Sequence, residues 1–186
     1  MDYFKKLGQH ISNIEIYDNR GKPISLGEAI AISVKTIANL DKKENKIILI
    51  GNGGSASIAS HIATDLLKNR NIPAITFNEP SLITCISNDL GYENVFAKPV
   101  GLLAKRKDIL LAISSSGKSK NILNAVKIAK DKGCFLITMS GFERQNPLRR
   151  MGDINFYVPS SSYGFVEIIH LAICHCIADS LMGKNG

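Results

Sequence analysis

Apolar positions recur along this chain with two periods, and the places where one gives way to the other predict its elements. Residues 1 to about 17 set Tyr3, Phe4, Leu7, Ile11, Ile14 and Ile16 at largely helical spacing, with polar residues between. That predicts a first helix. Asp18-Asn-Arg-Gly-Lys-Pro23 is rich in turn formers and reads as a loop. Ser25 stands three residues before Glu28, a capping-box spacing, and Ile30, Ile32, Val34 and Ile37 carry a second helix to about Leu40. Short, largely apolar runs at 47–50, 73–76, 108–113, 134–139 and 154–158 then read as strands. Helical stretches separate them: from the turn after residue 50 to about Lys68, at 81–87, around 94–104, at 121–132, and finally at 163–182. Asn88-Asp-Leu-Gly-Tyr92 is expected to break the second of these from the third. Strands alternating with helices predict an α/β fold with a parallel sheet covered on both faces. The two helices ahead of the first strand read as a packing or oligomerisation arm, or as a flanking layer on the core.

Two turns interrupt this pattern where ligands bind in such sheets, beyond the carboxyl ends of strands. The first, Gly51-Asn52-Gly53-Gly54-Ser55, follows a buried strand and opens a helix, with Ser55 or Ser57 as N-cap. Its glycines permit positive φ and close backbone approach, and the helix start aims unpaired N–H groups at one point, which suits an anion. It matches neither Gly-x-Gly-x-x-Gly nor a Walker loop, so a dinucleotide or nucleoside triphosphate is disfavoured. On the helix behind it His61 and Asp65 are four residues apart and share a face, expected about one turn below the glycines. The second turn sets Ser114, Ser115, Ser116 and Ser119 around Gly117, directly after a strand and before a helix. Hydroxyls and helix-start amides can enclose a phosphate there without a lysine.

At 186 residues the chain is most economically one domain, with 1–42 as an N-terminal helical arm and 43–186 as the α/β core. Net charge is +7. The basic residues are spread along the chain and aromatics are few, which favours a phosphorylated small molecule over nucleic acid. No apolar run approaches a membrane span, and Met1-Asp-Tyr-Phe-Lys-Lys lacks a signal-peptide pattern, so a cytoplasmic protein away from the membrane is expected. Cys85, Cys134, Cys174 and Cys176 lack CxxC spacing and read as reduced, mostly buried residues.

Gly51-Asn-Gly-Gly-Ser-Ala-Ser57, His61, Ser87-Asn-Asp-Leu-Gly-Tyr-Glu93 and Ile113-Ser-Ser-Ser-Gly-Lys-Ser119 together resemble the SIS (sugar isomerase) domain, and more narrowly the phosphoheptose isomerases. The resemblance spans nearly the whole chain. It implies a three-layer α/β/α domain with a five-stranded parallel sheet and N-terminal helices, assembled as a homotetramer with active sites near subunit interfaces. It implies that Asn52, Gly53, Gly54, Ser55, Asn88, Asp89 and Glu167 bind substrate, while Ser114, Ser115, Ser116 and Ser119 hold its phosphate. It also implies a divalent metal, typically zinc, at His61, Asp65, Glu167 and His175. Two of these positions depart from the family: Asp65 stands for a glutamate and Glu167 for a glutamine. The family's Thr-Ala-Arg-Ile-Gln-Glu segment is replaced by Tyr163-Gly-Phe-Val-Glu-Ile-Ile-His170.

The implied reaction is an aldose–ketose isomerisation through an enediol, converting sedoheptulose 7-phosphate to D-glycero-D-manno-heptose 7-phosphate on the way to cell-surface polysaccharide. Such chemistry needs a base beside a carbonyl and an acid for its oxygen. Asp65 as base and His175 as acid fit by family position and by chemistry. Glu167 and His175 are eight residues apart, about 12 Å along a straight helix, so one ion reaches both only if the helix start is irregular or a neighbouring subunit contributes. His170 reads as a packed or interface residue. Cys174-His-Cys176 cannot converge on an ion, since consecutive helix positions point about 100° apart. Two other readings stay open: a phosphosugar-binding protein without catalysis, and an isomerase of another sugar phosphate.

Overall fold

The computed structural model describes residues 2–181. Its helices are α1 (Tyr3–Ser12), α2 (Leu26–Ala38), α3 (Gly54–Arg70), α4 (Pro80–Leu90), α5 (Ala97–Leu103), α6 (Lys120–Asp131) and α7 (Tyr163–Ser180). Its strands are β1 (Glu15–Asp18), β2 (Ile47–Gly51), β3 (Ala74–Thr76), β4 (Ile109–Ser114), β5 (Phe135–Ser140) and β6 (Ile154–Tyr157). They form one sheet in the order β1-β6-β5-β4-β2-β3. The five strands from β6 to β3 are parallel, as expected. The sixth, β1, was read as the end of the first helix, and here the expectation is corrected: it pairs antiparallel with β6, Ile16 opposite Phe156.

The physical reason is local. Asn13 closes α1, and the residues after it switch to period two, with Ile16 buried between more exposed neighbours. Asp18 then turns the chain, its Oδ1 accepting the N–H groups of Arg20 and Lys22, and Ile24 N–H returns to Ile16 O at 3.0 Å. In a four-residue window Ile14 and Ile16 satisfy either period, and only pairing with a distant strand decides.

Strand residues alternate between two cores. Ile47, Leu49, Ile109, Leu111 and Ile113 face Ile37, Ile62, Ile169 and Ile173 of α2, α3 and α7. Ile48, Ile50, Leu110 and Ala112 face Ile86, Val100, Ile122 and Val126 of α4, α5 and α6. All residues of β2 and β4 are buried, as parallel strands covered on both faces must be. At the opposite end from the turns, the buried Asp108 accepts from Asn45 Nδ2, Lys46 Nζ and the N–H groups of Lys46 and Lys105.

Three boundaries differ from expectation. Gly53, not Ser55 or Ser57, occupies the N-cap of α3, with φ +53° that disfavours a side chain. Asn88 and Asp89 do not break the chain; they continue α4 to Leu90, and Gly91 at φ +86° ends it. The last helix ends at Ser180, and Met182, its expected last residue, lies outside the described residues. No helix among the described residues is long and apolar enough to cross a membrane.

Candidate active site

Strand β2 delivers the glycine turn and its neighbour β4 the serine turn to the same edge of the sheet, Gly51 standing opposite Ile113. Gly51 is required: a Cβ there would lie 2.5 Å from the backbone carbonyl of Ser55. Gly117, at φ +62°, donates its N–H to Ser114 O at 3.0 Å, and the Asn146 carboxamide fills the space its own side chain would take. Between the turns lies a cavity of about 250 Å³. Asn52, Gly53, Gly54 and Ser55 line one side, and Ser114, Ser115, Ser116 and Ser119 line the other. Tyr163 and Glu167 close it from the start of α7, the Glu167 carboxylate lying directly over Gly54. The Ser115 hydroxyl is buried and has no partner among the described residues.

Asn88 and Asp89 do not line this cavity. They are exposed in the last turn of α4, and Asn88 Nδ2 donates to Asp89 Oδ1 at 2.8 Å. Their neighbour Tyr92 does reach the site, its hydroxyl donating to Asn52 Oδ1 at 3.0 Å. Asn52 and Asn121 exchange carboxamide bonds of 3.0 and 2.8 Å, tying the glycine turn to the first turn of α6. Asn121 Oδ1 also accepts the N–H of Ile122. Sequence reasoning missed Asn121 and Tyr92, as it missed Tyr163. For Asn121 a signal exists, because it falls on the buried stripe of Ile122, Ala125, Val126 and Ala129, where a polar residue must find a partner.

Helices α3 and α7 both start at this cavity and run side by side, touching at Gly54 and Glu167, at His61 and His175, and at Arg70 and Ala178. Along them, seven residues on from Gly54 and eight on from Glu167, stand His61 and His175. That is about 10–12 Å from the cavity at 1.5 Å per residue. The pair His61 and Asp65 is thus two to three turns below the glycines, not one. His61 Nε2 is 3.3 Å from His175 Nε2, and Asp65 Oδ2 lies 3.6 Å from His61 Nε2 and 3.8 Å from His175 Nδ1. The shorter aspartate thus lies within ion-pair range of both imidazoles, just beyond hydrogen-bond distance of each.

One ligand atom from each of the three lies within 4.8 Å of the other two, so this cluster could hold a metal ion. Two imidazoles and a carboxylate are a donor set that suits a divalent transition metal with a position left open. Glu167 is not among them; it stays at the cavity. His170, on the same helix, is fully buried with Nε2 3.2 Å from Ser140 O, and burial pushes its pKa down to about 4. It is a neutral packing residue. Cys174 is buried against Met139, its thiol pushed up to about 12, while Cys176 is exposed, so the Cys-His-Cys run diverges. Of the four free cysteines two are buried, Cys134 and Cys174, fewer than expected.

A family model described as the SIS domain matches residues 24–141, which hold both turns, His61 and Asp65. The chain belongs to the SIS-domain family. Within it, a phosphoheptose isomerase of Aliarcobacter butzleri is 39% identical over 158 residues, covering 82% of this chain and 81% of that one. Two solved structures superpose closely. A phosphoheptose isomerase from Francisella tularensis gives a TM-score of 0.81 at 30% identity over 97% of this chain and 94% of its own. Phosphoheptose isomerase GmhA from Neisseria gonorrhoeae gives 0.83 at 26% identity, over 97% and 96%.

Proposed function

We propose that this SIS domain, a single unit over residues 1–186, is an aldose–ketose isomerase. It converts sedoheptulose 7-phosphate to D-glycero-D-manno-heptose 7-phosphate in the cytoplasm, as a homotetramer. The observation that carries this reading is the spacing of two chemically different sites along one pair of helices. A cradle of hydroxyls and helix-start amides, with the Glu167 carboxylate on its α7 side, suits a phosphate. A carboxylate and two imidazoles, about 10–12 Å further on, suit proton transfer at a carbonyl. A ligand using both must be a phosphate joined to a carbonyl by a chain of carbons.

In this reading the start of α3 and Ser114, Ser115, Ser116 and Ser119 hold the phosphate, and its oxygens supply the partner that the buried Ser115 hydroxyl lacks. The carbonyl end extends along α3 and α7. The Asp65 carboxylate removes the proton from the carbon beside the carbonyl and returns it to the neighbouring carbon. The His175 imidazole gives its proton to the carbonyl oxygen and takes one back from the neighbouring hydroxyl as that becomes the new carbonyl, and the His61 nitrogen 3.3 Å away orients it. The same three residues would hold a zinc ion, which when bound supplies a Lewis acid beside the carbonyl. Glu167 and Asn52 face the sugar hydroxyls.

The test is turnover of sedoheptulose 7-phosphate followed by NMR, with and without zinc after chelation. Asp65→Asn and His175→Ala should melt at the temperature of the chelated wild type and turn over more slowly than the untreated wild type by about 10²–10⁴-fold. Full activity in both variants would remove these assignments, and binding without conversion by the wild type would leave a phosphosugar-binding protein instead. Chelation should also lower the melting temperature and remove stoichiometric metal, whatever the activity.

A further inference from the structure

The chain carries six arginines and seventeen lysines. Four of the six arginines, Arg20, Arg144, Arg149 and Arg150, line one cavity of about 520 Å³, and no lysine does. The cavity sits at the β1 edge of the sheet, with β6, β5 and β4 between β1 and β2, and none of its lining residues belongs to the glycine or serine turn. Arg20 comes from the turn after β1, and the other three from the loop between β5 and β6. It continues into a neighbouring hollow of about 500 Å³ that shares Arg20 and Arg150 and adds Lys130.

One of the four is fixed by the fold. Arg149 is buried, its guanidinium 4.5 Å from the ring centre of Tyr17 and 4.4 Å from that of Tyr157, and it donates to Glu15 at 2.5 Å. That role secures β1 to the sheet and accounts for Arg149 alone. Arg144 shares the same Glu15 carboxylate at 3.1 Å. The Asp18 carboxylate is engaged by the N–H groups of Arg20 and Lys22, and Asp153 by Leu136 N–H and Asn19. Arg150 bonds only the neutral Gln145 side chain, and Arg20 makes no side-chain hydrogen bond to the described residues. Across the two hollows four guanidiniums and Lys130 thus meet three carboxylates, Glu15, Asp18 and Asp153, and Arg20, Arg144 and Arg150 are exposed at the rim. The planar guanidinium fork, unlike an ammonium, can grip two oxygens of a carboxylate or phosphate at once.

We infer that this cavity is a second anion site, separate from the sugar-phosphate cradle, for a small molecule bearing two linked phosphates. Its volume is in the range of small-ligand pockets. Arg149, paired with Glu15 and held against Tyr17 and Tyr157, gives it a rigid floor, while Arg20 and Arg150 supply guanidiniums with no carboxylate partner among the described residues. A free oligophosphate and the diphosphate of a nucleotide share this chemistry.

The experiment is calorimetric titration of the full chain with inorganic pyrophosphate, and separately with ADP, at physiological ionic strength. It is repeated on Arg20→Gln/Arg150→Gln and on Ser116→Ala/Ser119→Ala. Loss of two charge-assisted contacts should weaken pyrophosphate at least about tenfold in the arginine variant, with melting temperature and sugar-phosphate turnover unchanged. The serine variant should bind it as the wild type does. Equal affinity for pyrophosphate and ADP assigns the site to phosphates alone, and tighter ADP assigns it to a nucleotide. Binding that persists in the arginine variant, binding lost only in the serine variant, or no binding by the wild type overturns the inference.

Discussion

Asn121 shows how one buried side chain can set the geometry of two loops. Its carboxamide gives and takes a hydrogen bond with Asn52, so the glycine turn and the start of α6 are held in one relative position. Asn121→Ala should cost about 1–3 kcal/mol in a urea melt, because Asn52 keeps only Tyr92 as a partner. Its KM for the sugar phosphate should rise more than its kcat falls, which steady-state kinetics reads directly. His170 makes a second prediction at this scale. Burial lowers its pKa from 6.5 to about 4, so between those values the unfolded chain takes up a proton that the native one refuses. Stability is therefore present above about pH 6.5 and falls as pH drops toward 4. Between pH 7 and 5 this loss should be on the order of 2 kcal/mol, and the difference between wild type and His170→Gln in paired urea melts measures it. An equal pH slope in both proteins would refute it. Residues of this kind were partly legible beforehand. The turn glycines and serines announce themselves because their chemistry is local, and His61 and Asp65 do so by four-residue spacing. Tyr92, Tyr163 and the arginine cavity did not, because each depends on contacts across the fold.

Among the elements, the strand–turn–helix unit of β2 and α3 is the least tolerant of change. Gly51→Ala would press a methyl group against the Ser55 backbone, which cannot retreat without unwinding the helix start, whereas Gly54→Ala meets only the movable carboxylate of Glu167. Thermal melts should show Gly51→Ala destabilised by about 1–3 kcal/mol or more, and Gly54→Ala by clearly less. The five parallel strands could be read from their apolar runs, since burial on both faces leaves the same composition in each. Strand β1 could not, since four residues fit a helix or a strand equally well and its partner is more than a hundred positions away. The continuation of α4 through Asn88 and Asp89 was hidden for a related reason. Both residues favour turns in isolation, yet the helix runs on to Gly91, where positive φ finally stops it.

Across the whole molecule, α1 buries no residue, and Phe4 is 75% exposed beside Tyr3 and Ile11. An apolar helix face of this kind suits contact with further copies of the chain. Phe4→Glu should lower the mass seen by light scattering after gel filtration, with the circular dichroism of the fold intact. The parallel course of α3 and α7 has a different consequence. Because both helices begin at the proposed phosphate cradle and run side by side past His61 and His175, the distance between anchor and chemistry would be built into two rigid rods rather than into loops. The enzyme would then measure its substrates. A triose or tetrose phosphate seated by its phosphate would fall short of Asp65 and His175, while a seven-carbon chain would arrive. Selection would thus rest on length before any hydroxyl is recognised.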